Sequence, residues 1–277
     1  MASSLADLAD RQWRDYKARE PGACFADPGF VLDLPQAYEL QRAVAALRVA
    51  AGDRIVGYKV GCTGPGTVAQ FGMEGPIRGY LFESEIRENG DTLDSAAFAC
   101  LAIEGEMALR IGDGDQIEAA FPVIELHHFV FRAARKTLVE LVANNGLNAG
   151  IVLPDEAWLS SRTHLAKQAT LSVRVNDRVV GSGDLWPLPG GPGASLDWLR
   201  RHLAEFGLAL EPSQIVLAGT PLGLYPVEAG DRIAFRLKEA GKENRDMEAV
   251  TMFDFIDIDE DRTPPDFTAW QPPRFGR

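Results

Sequence analysis

The sequence is short of cysteine and of positive charge, and each shortage argues against a class of protein. Its three cysteines, at positions 24, 62 and 100, lie far apart and form no CxxC pair, which argues against a disulfide framework and against structural zinc. Lysine and arginine number 28 against 40 aspartates and glutamates, which gives a net charge of −12. A chain this acidic is poorly suited to bind nucleic acid or an anionic membrane surface.

Several targeting and catalytic patterns are missing as well. No stretch approaches the roughly 20 apolar residues of a membrane-spanning helix, and the first residues do not form a signal peptide. There is no GxSxG nucleophile motif, and the glycine-rich stretch 61–66 lacks the spacing of a dinucleotide-binding or phosphate-binding loop. We therefore expect a cytoplasmic protein whose chemistry depends on other residues.

What the chain does contain is an ordinary globular composition, 46% hydrophobic and 25% charged, in a length that suits one large domain or two small ones. Helical periodicity predicts two N-terminal helices, the first with a capping box of Ser4 and Asp7 and the second ending at Gly52. Two further helices are predicted at about 132–145 and 195–206, and residues 176–178 resemble a hairpin turn. Strands are predicted at 55–60, 99–111, 122–131, 169–175, 213–218, 231–237 and 247–253.

A lysine between glycines is the first candidate for chemistry. In a strand at 55–61, Gly57, Lys59 and Gly61 share one face, because side chains alternate along a strand. The two glycines would leave room for a ligand around a single cation. The competing interpretation is a surface lysine on a glycine-rich edge strand, and this stretch alone does not decide between the two.

Glutamates in apolar β segments form the second candidate. Glu104 and Glu106 stand two residues apart, so their carboxylates point the same way and repel each other unless a cation lies between them. An oxygen-binding ion such as Mg²⁺ or Mn²⁺ suits that arrangement, although a solvent-exposed pair is the ordinary alternative. Glu125 lies in another apolar run, where an unpaired carboxylate is costly to bury, so it is a candidate third carboxylate.

Two adjacent histidines follow Glu125 in the same run. His127 and His128 cannot face the same side of a strand, so they do not form a zinc pair. Each is a candidate general base or hydrogen-bond donor to the carboxylates, and a structural or exposed role is the alternative for each.

Taken together, these segments resemble the fumarylacetoacetate hydrolase superfamily, and within it the branch of 2-oxopent-4-enoate (2-hydroxypentadienoate) hydratases and 4-oxalocrotonate decarboxylases. The resemblance runs in the family's order from about residue 5 to residue 253. The stretches that carry it most clearly are IVGYKVGCT at 55–63, IEGEMA at 103–108, IE at 124–125, LAGTP at 217–221 and VEAGD at 227–231.

The resemblance implies an α+β fold, with a mixed β-sandwich or β-roll core and N-terminal helices, in a protein that is usually oligomeric. On this basis we expect a helical extension at 1–53, a catalytic β-rich domain at 54–253 and an extended tail at 254–277. It also implies that Glu104, Glu106 and Glu125 hold Mg²⁺ or Mn²⁺, with Lys59 as the active-site lysine. Substrate-binding residues are expected at four positions: Gly57, Gly61, Arg78 and Thr220.

The activity implied is that of a metal-dependent lyase on a small 2-oxo or 2-hydroxydienoic acid. In a hydratase, our first expectation, the 2-hydroxydienoate ketonises and water then adds to the conjugated double bond. A 2-oxo acid decarboxylase and an acylpyruvate-type or fumarylacetoacetate-type C–C bond hydrolase use the same site and stay open. A non-catalytic assembly partner is the alternative from another class. The expected partners are the substrate, further copies of the chain and a sister enzyme, with neither nucleic acid nor membrane.

Overall fold

The computed structural model describes residues 4–19, 24–27, 29–63, 76–128, 130–131, 136–162, 164–165, 168–239 and 253–254. The α-helices among them are α1 (Leu5–Ala18), α2 (Leu34–Ala50), α3 (Leu138–Ala143), α4 (Glu156–Leu159) and α5 (Pro192–Glu205). The first strands are β1 (Ile55–Gly61), β2 (Ile77–Phe82), β3 (Ile86–Arg87), β4 (Leu101–Ile111), β5 (Ile117–His128) and β6 (Asn148–Val152). The later strands are β7 (Ala169–Val175), β8 (Arg178–Asp184), β9 (Ile215–Leu217), β10 (Tyr225–Pro226), β11 (Arg232–Glu239) and β12 (Phe253–Asp254).

A large mixed sheet is built around the long antiparallel hairpin of β4 and β5. Its strand order is β2-β1-β9-β4-β5-β6-β3, with the short β10 paired to β4. β9 lies parallel to β1 and antiparallel to β4, so it joins the strand of the lysine to the hairpin of the glutamates. The sheet therefore brings segments that are far apart in sequence onto one surface.

This sheet curls into a roll because its two ends are formed by consecutive strands. β2 and β3 are separated only by the turn Glu83–Glu85, and β3 pairs with β6. The Asn145 side chain, just before β6, also joins this side of the sheet to β2. It accepts from the Tyr80 N–H at 2.7 Å and donates to the Tyr80 carbonyl at 2.9 Å. One face of β4 and β5 thus points into the roll, where it packs with buried apolar residues: Leu81, Ala108, Phe121, Val123, Ile151 and Leu217.

The opposite face of the roll packs on a second sheet with the strand order β12-β11-β7-β8. The two sheets share one hydrophobic core, to which β4 contributes Ile103, Met107 and Leu109. Gly105 marks the closest approach, because a Cβ at this position would lie 2.4 Å from Cγ2 of Val173 and 2.7 Å from Cε1 of Phe235. β4 is therefore buried on both faces, one toward the second sheet and one toward the interior of the roll.

The N-terminal helices pack beside the roll on α3. α1 begins with the predicted capping box, in which the Asp7 N–H donates to Oγ of Ser4 at 3.2 Å and the Ser4 N–H donates to Asp7 at 3.1 Å. Gln41 of α2 donates to the carbonyl of Val142 at 2.8 Å, and Gln12 of α1 donates to Oδ1 of Asn144 at 2.5 Å. These contacts connect α2 to the last turn of α3 and α1 to the residue that follows it.

The fold is α+β with sandwiched sheets and N-terminal helices, which confirms the predicted fold class. Helix α5 starts three residues before the predicted 195, because Pro192 occupies its first turn. Strands β2, β3, β6 and β10 were not predicted. No helix among the described residues combines the length and apolarity needed to cross a membrane.

The proposed division of the chain at residues 53 and 253 stays a prediction. The first boundary falls in the connection between α2 and β1, and the second falls inside β12. Most of the strand predicted at 247–253, the tail after residue 254 and the first residues of the helix predicted at 132–145 lie outside the described residues.

Candidate active site

The β4–β5 hairpin places three glutamates on the inner face of the roll. Glu104 lies directly opposite Glu125 in the antiparallel register, and Glu106 lies opposite Val123. Side chains that face each other in this register point to the same side, and so do residues two apart on one strand. Glu106 and Glu125 are buried, whereas the Glu104 side chain is 20% exposed. The carboxylates therefore form one cluster that opens toward solvent at Glu104. Within it, Glu104 and Glu125 lie close enough to share one ion together with His127, and Glu106 is buried beside Glu125.

Lys59 reaches this cluster from β1 across the roll. Its Nζ lies 2.6 Å from Oε1 of Glu125 and donates to the Gly146 carbonyl at 3.0 Å. Gly61 and Gly79 clear its path: a Cβ on either glycine would lie 3.0 Å from the lysine side chain. Both glycines thus make room for the lysine side chain itself.

A left-handed turn holds the carbonyl that receives Lys59. Asn145, Gly146 and Leu147 have φ angles of 59°, 61° and 62°, a region that residues with side chains rarely occupy. The Asn145 amide anchors the turn to Tyr80, and a Cβ on Gly146 would lie 3.1 Å from Cε of Lys59. The turn therefore stores local strain in a place where it positions a functional group.

The buried charges perturb one another strongly. Burial raises the pKa of Glu106 well above its usual range, and the charges of Glu125 and Glu104 raise it further. Burial would also raise the pKa of Glu125, but Lys59 and His127 hold it below its usual range. Burial alone would lower the pKa of Lys59, but the three glutamates raise it, so the ammonium stays charged at neutral pH. Lys59 therefore supplies a permanent positive charge within the cluster of carboxylates.

A divalent cation fits this donor set. Oε2 of Glu125 is buried and makes no hydrogen bond within the described part of the chain. An unsatisfied buried carboxylate oxygen beside two further carboxylates is the arrangement that a hard divalent ion compensates. The side-chain amide of Asn148 donates to the other carboxylate oxygen of Glu125, Oε1, at 2.8 Å. This hydrogen bond fixes the orientation of the carboxylate.

The loop after β9 covers the cluster on one side. The Gly219 N–H donates to Oε2 of Glu106 at 3.3 Å, and the Thr220 hydroxyl donates to the carbonyl of Gly105 at 2.6 Å. The same hydroxyl accepts from the N–H of Leu222 at 3.0 Å. Thr220 thus holds the loop against β4 beside the glutamates.

Two of the expected substrate-binding residues lie away from the cluster. A Cβ on Gly57 would lie 1.9 Å from the carbonyl oxygen of Ile215, so this glycine permits the close pairing of β1 with β9. Arg78 lies opposite Val60, on the face of the sheet that Lys59 does not use. Its fully buried guanidinium is 2.8 Å from Oε1 of Gln41 and lies over the ring of Phe206. Both residues therefore contribute packing contacts away from the cluster, and their expected role in substrate binding stays a prediction.

His127 joins the glutamates, whereas His128 does not. Nε2 of His127 lies 3.1 Å from Oε2 of Glu104. His128 packs against Tyr16 on the other face of β5 and accepts from the Ala99 N–H at 3.2 Å. The two histidines thus leave opposite faces of the strand, as the alternation of side chains predicts.

Known proteins resemble this chain in sequence and in fold, although no family model matches it. It is 28% identical over 221 residues to the TodF product hydratase of Pseudomonas putida F1, which covers 76% of this chain and 82% of that protein. It is 26% identical over 217 residues to a 4-oxalocrotonate decarboxylase of a Pseudomonas species. That match covers 74% of this chain and 84% of the decarboxylase. The chain therefore resembles hydratases and decarboxylases over about three quarters of its length, and the resemblance to these enzymes that the sequence predicts is confirmed.

A solved structure extends the likeness to most of the chain. The 4-oxalocrotonate decarboxylase from Pseudomonas putida G7, complexed with magnesium and adipate, superposes with a TM-score of 0.79 at 21% identity. The match covers 91% of this chain and 97% of that one. The two proteins therefore share one fold over nearly their whole lengths.

Sequence reasoning missed the groups that orient the site. The Gly146 carbonyl, the Gly219 N–H and the Asn148 amide contact the lysine or the glutamates, and none was predicted. Asn145-Gly146 is a dipeptide typical of tight turns, and it was the one signal that pointed to a left-handed conformation there. The Gly219 N–H is a backbone donor, which leaves no mark on side-chain identity. The Asn148 side chain lies beside Glu125 because β6 pairs with β5, and the sequence gives no local signal of that pairing.

Proposed function

We propose that this protein is a divalent-metal-dependent hydratase acting on a small 2-hydroxydienoic or 2-oxo acid. The observation that carries the proposal is the buried cluster of three glutamates with the Lys59 ammonium held against Glu125 at 2.6 Å. The names of the relatives support the choice of reaction, since the relative at 28% identity is a hydratase. The proposed metal ligands are Glu104, Glu106 and Glu125, and the proposed metal is Mg²⁺ or Mn²⁺.

A bound divalent ion would supply Lewis-acid polarisation of the 2-oxygen of the substrate. Lys59 adds a fixed positive charge on the same face, and its two hydrogen bonds keep that charge in place without reorganisation. Its raised pKa keeps it a cation at neutral pH, so it stabilises negative charge on the substrate better than it removes a proton. Gly61 makes room for the lysine side chain, and Thr220 fixes the loop that borders Glu106.

The hydratase reaction needs a proton to move within the substrate and a water to add. The 2-hydroxydienoate loses the proton of its 2-hydroxyl and gains one on carbon, and water then adds across the conjugated double bond. Glu104 is the glutamate of the cluster with an exposed fraction, so it is placed to pass a proton to or from solvent. Glu106 and Glu125 are sealed from solvent and serve as ligands.

Product analysis tests the proposal directly. The full chain, loaded with Mn²⁺, is offered 2-hydroxypentadienoate, 4-oxalocrotonate and an acylpyruvate, with detection by ultraviolet absorbance and mass spectrometry. We expect the first compound to gain one water. The variant Glu106→Ala should lose turnover and ion binding, while Glu118→Gln, an exposed glutamate on the same hairpin, should keep both. Turnover of the acylpyruvate alone would overturn the lyase proposal.

Decarboxylation is the second candidate. It is favoured by the relative at 26% identity and by the solved structure at a TM-score of 0.79, both 4-oxalocrotonate decarboxylases. In that reaction the electrons released with CO₂ flow into the same 2-oxo group. Release of CO₂ from 4-oxalocrotonate without hydration of 2-hydroxypentadienoate would establish it in place of the hydratase. Failure to bind any divalent ion would instead favour a non-catalytic assembly partner.

We also propose that the protein works in the cytoplasm as a homo-oligomer, with a sister pathway enzyme as a further partner. Cys24, Cys62 and Cys100 are all free thiols, which suits a reducing compartment. Size-exclusion chromatography with light scattering would measure the oligomer, and a single-chain mass would contradict this part of the proposal.

A further inference from the structure

His127 brings a nitrogen into the cluster of carboxylates. Its Nε2 lies 3.1 Å from Oε2 of Glu104 and 3.4 Å from Oε2 of Glu125. One ligand atom from each of these three residues lies within 4.8 Å of the other two, a spacing that a single metal ion can span. The ring reaches this position because His127 lies two residues after Glu125 on β5 and shares its face.

The His127 nitrogen and the buried Glu125 oxygen that it faces are both left without a hydrogen bond. Nε2 of His127 and Oε2 of Glu125 are buried, and neither makes a hydrogen bond of acceptable geometry within the described part of the chain. Buried polar atoms are normally paired, so two unpaired atoms 3.4 Å apart need an explanation. A cation between them satisfies both at once, whereas a direct hydrogen bond would satisfy the pair only after the ring turns.

We propose that Nε2 of His127 is a fourth protein ligand of the metal, beside the carboxylates of Glu104, Glu106 and Glu125. This inference rests on the proposed function, because it concerns the ion of that same site. Its consequence is selectivity. Mg²⁺ prefers oxygen ligands alone, while imidazole nitrogen suits transition metals, whose affinities rise along the series from Mn²⁺ onward. The nitrogen therefore makes this site one that favours Mn²⁺ over Mg²⁺.

The ligand has a spectroscopic signature that does not depend on turnover. The full chain is stripped with a chelator, loaded with Mn²⁺ and measured by pulsed electron paramagnetic resonance. We expect the coupling of one directly bound ¹⁴N nucleus, which becomes a ¹⁵N coupling when the histidines are labelled with ¹⁵N. This wild-type measurement needs no substitution, so it does not depend on the folding of a variant.

Two histidine variants assign the nitrogen. His127→Gln should abolish the coupling and weaken Mn²⁺ binding by at least about tenfold, while weakening Mg²⁺ binding less. His128→Gln is the matched control, since His128 is the buried neighbour on the opposite face of β5. It should leave the coupling and both affinities unchanged.

The outcomes separate this inference from the proposed function. Tight Mn²⁺ binding without nitrogen coupling would overturn the histidine ligand and leave the carboxylate site standing. A coupling that persists in His127→Gln would also overturn it. Absence of any divalent-ion binding by calorimetry would overturn both the ligand and the metal-dependent function.

Discussion

The substitution Gly105→Ala tests how the second sheet supports the metal ligands. Gly105 stands between Glu104 and Glu106, and an added Cβ would lie 2.4 Å from Cγ2 of Val173 and 2.7 Å from Cε1 of Phe235. Carbon atoms pack best at about 3.5–4.0 Å, so the two sheets must separate by about 1 Å at this point. Overpacking of this kind costs about 1–3 kcal/mol of the free energy of unfolding.

Urea unfolding of the chelator-treated protein would measure that loss. The second variant, Val173→Ala, removes the nearer clashing methyl group and costs about 1–3 kcal/mol by itself. Because it relieves the clash of Gly105→Ala, the double variant should be more stable than the sum of the two losses predicts, by at least about 0.5 kcal/mol. The contact to Phe235 remains, so we expect the rescue to be partial.

The same variants connect packing to metal binding. A displaced β4 moves Glu104 and Glu106, so Gly105→Ala should weaken Mn²⁺ binding and Val173→Ala should restore part of it in the double variant. A Gly105→Ala protein within about 0.5 kcal/mol of the wild type would refute the reasoning, since that is the range of substitutions that disturb no packing. Strictly additive losses would refute it as well.

Three further predictions concern single residues. Glu106→Gln should stabilise the metal-free protein by about 1–2 kcal/mol in thermal melts and abolish the stabilisation by Mn²⁺, because it removes a buried repulsion. The raised pKa of Glu106 means that the folded wild type holds a proton that the unfolded chain loses above pH 4.5, so the wild type loses stability as the pH rises. The difference in stability between Glu106→Gln and the wild type should therefore grow as the pH rises above 4.5. A difference that grows toward acid pH would contradict this. Asn145→Ala removes both hydrogen bonds of its amide, so it should lower stability by about 1–3 kcal/mol and, by releasing the carbonyl that holds Lys59, lower kcat by about 10–100-fold; unchanged turnover would contradict the positioning role. Burial lowers the pKa of His202 from 6.5 to about 4. Between these two pH values the imidazole is protonated in the unfolded chain but neutral in the folded protein. The free energy of unfolding should therefore fall as the pH is lowered from 6.5 to 4. Allowing for partial exposure, the loss is about 1–2 kcal/mol, and it should be absent from His202→Asn in urea unfolding curves at pH 4.5 and 7; equal losses in both proteins would contradict it.

The elements of the fold that could be predicted are those with strong local patterns. The capping box of Ser4 and Asp7 and the alternation that unites Glu104 with Glu106 both depend on residues within three positions of each other. The sequence patterns do not predict β2 and β6, because both strands are short and are defined by their partners. β2 pairs with β1, where Ile55 lies opposite Phe82, and β6 pairs with β5 and β3. Pairing of this kind is a property of the whole chain.

The candidate site shows the same division between local and distant information. Alternation places Lys59 and the glutamates each on one face of a strand. It does not tell that the face of β4 with the glutamates is also buried, because that burial comes from strands distant in sequence. The contact between Lys59 and Glu125 joins residues 66 positions apart, and the contact with Gly146 joins residues 87 positions apart. These groups were linked from the sequence only through the family resemblance.

The charge of the site differs in its local balance from the acidic chain around it. If metal binding displaces the proton of Glu106, the three ionised glutamates and the Lys59 ammonium carry two negative charges in excess, and a divalent ion would balance that excess. The neutral imidazole of a ligating His127 would add a donor without changing the balance. A monovalent ion would leave a buried charge uncompensated, at a cost that buried pairs rarely repay. Attraction of an anionic substrate is therefore local: the overall charge of −12 repels it, and the ion together with Lys59 supplies the positive field at short range.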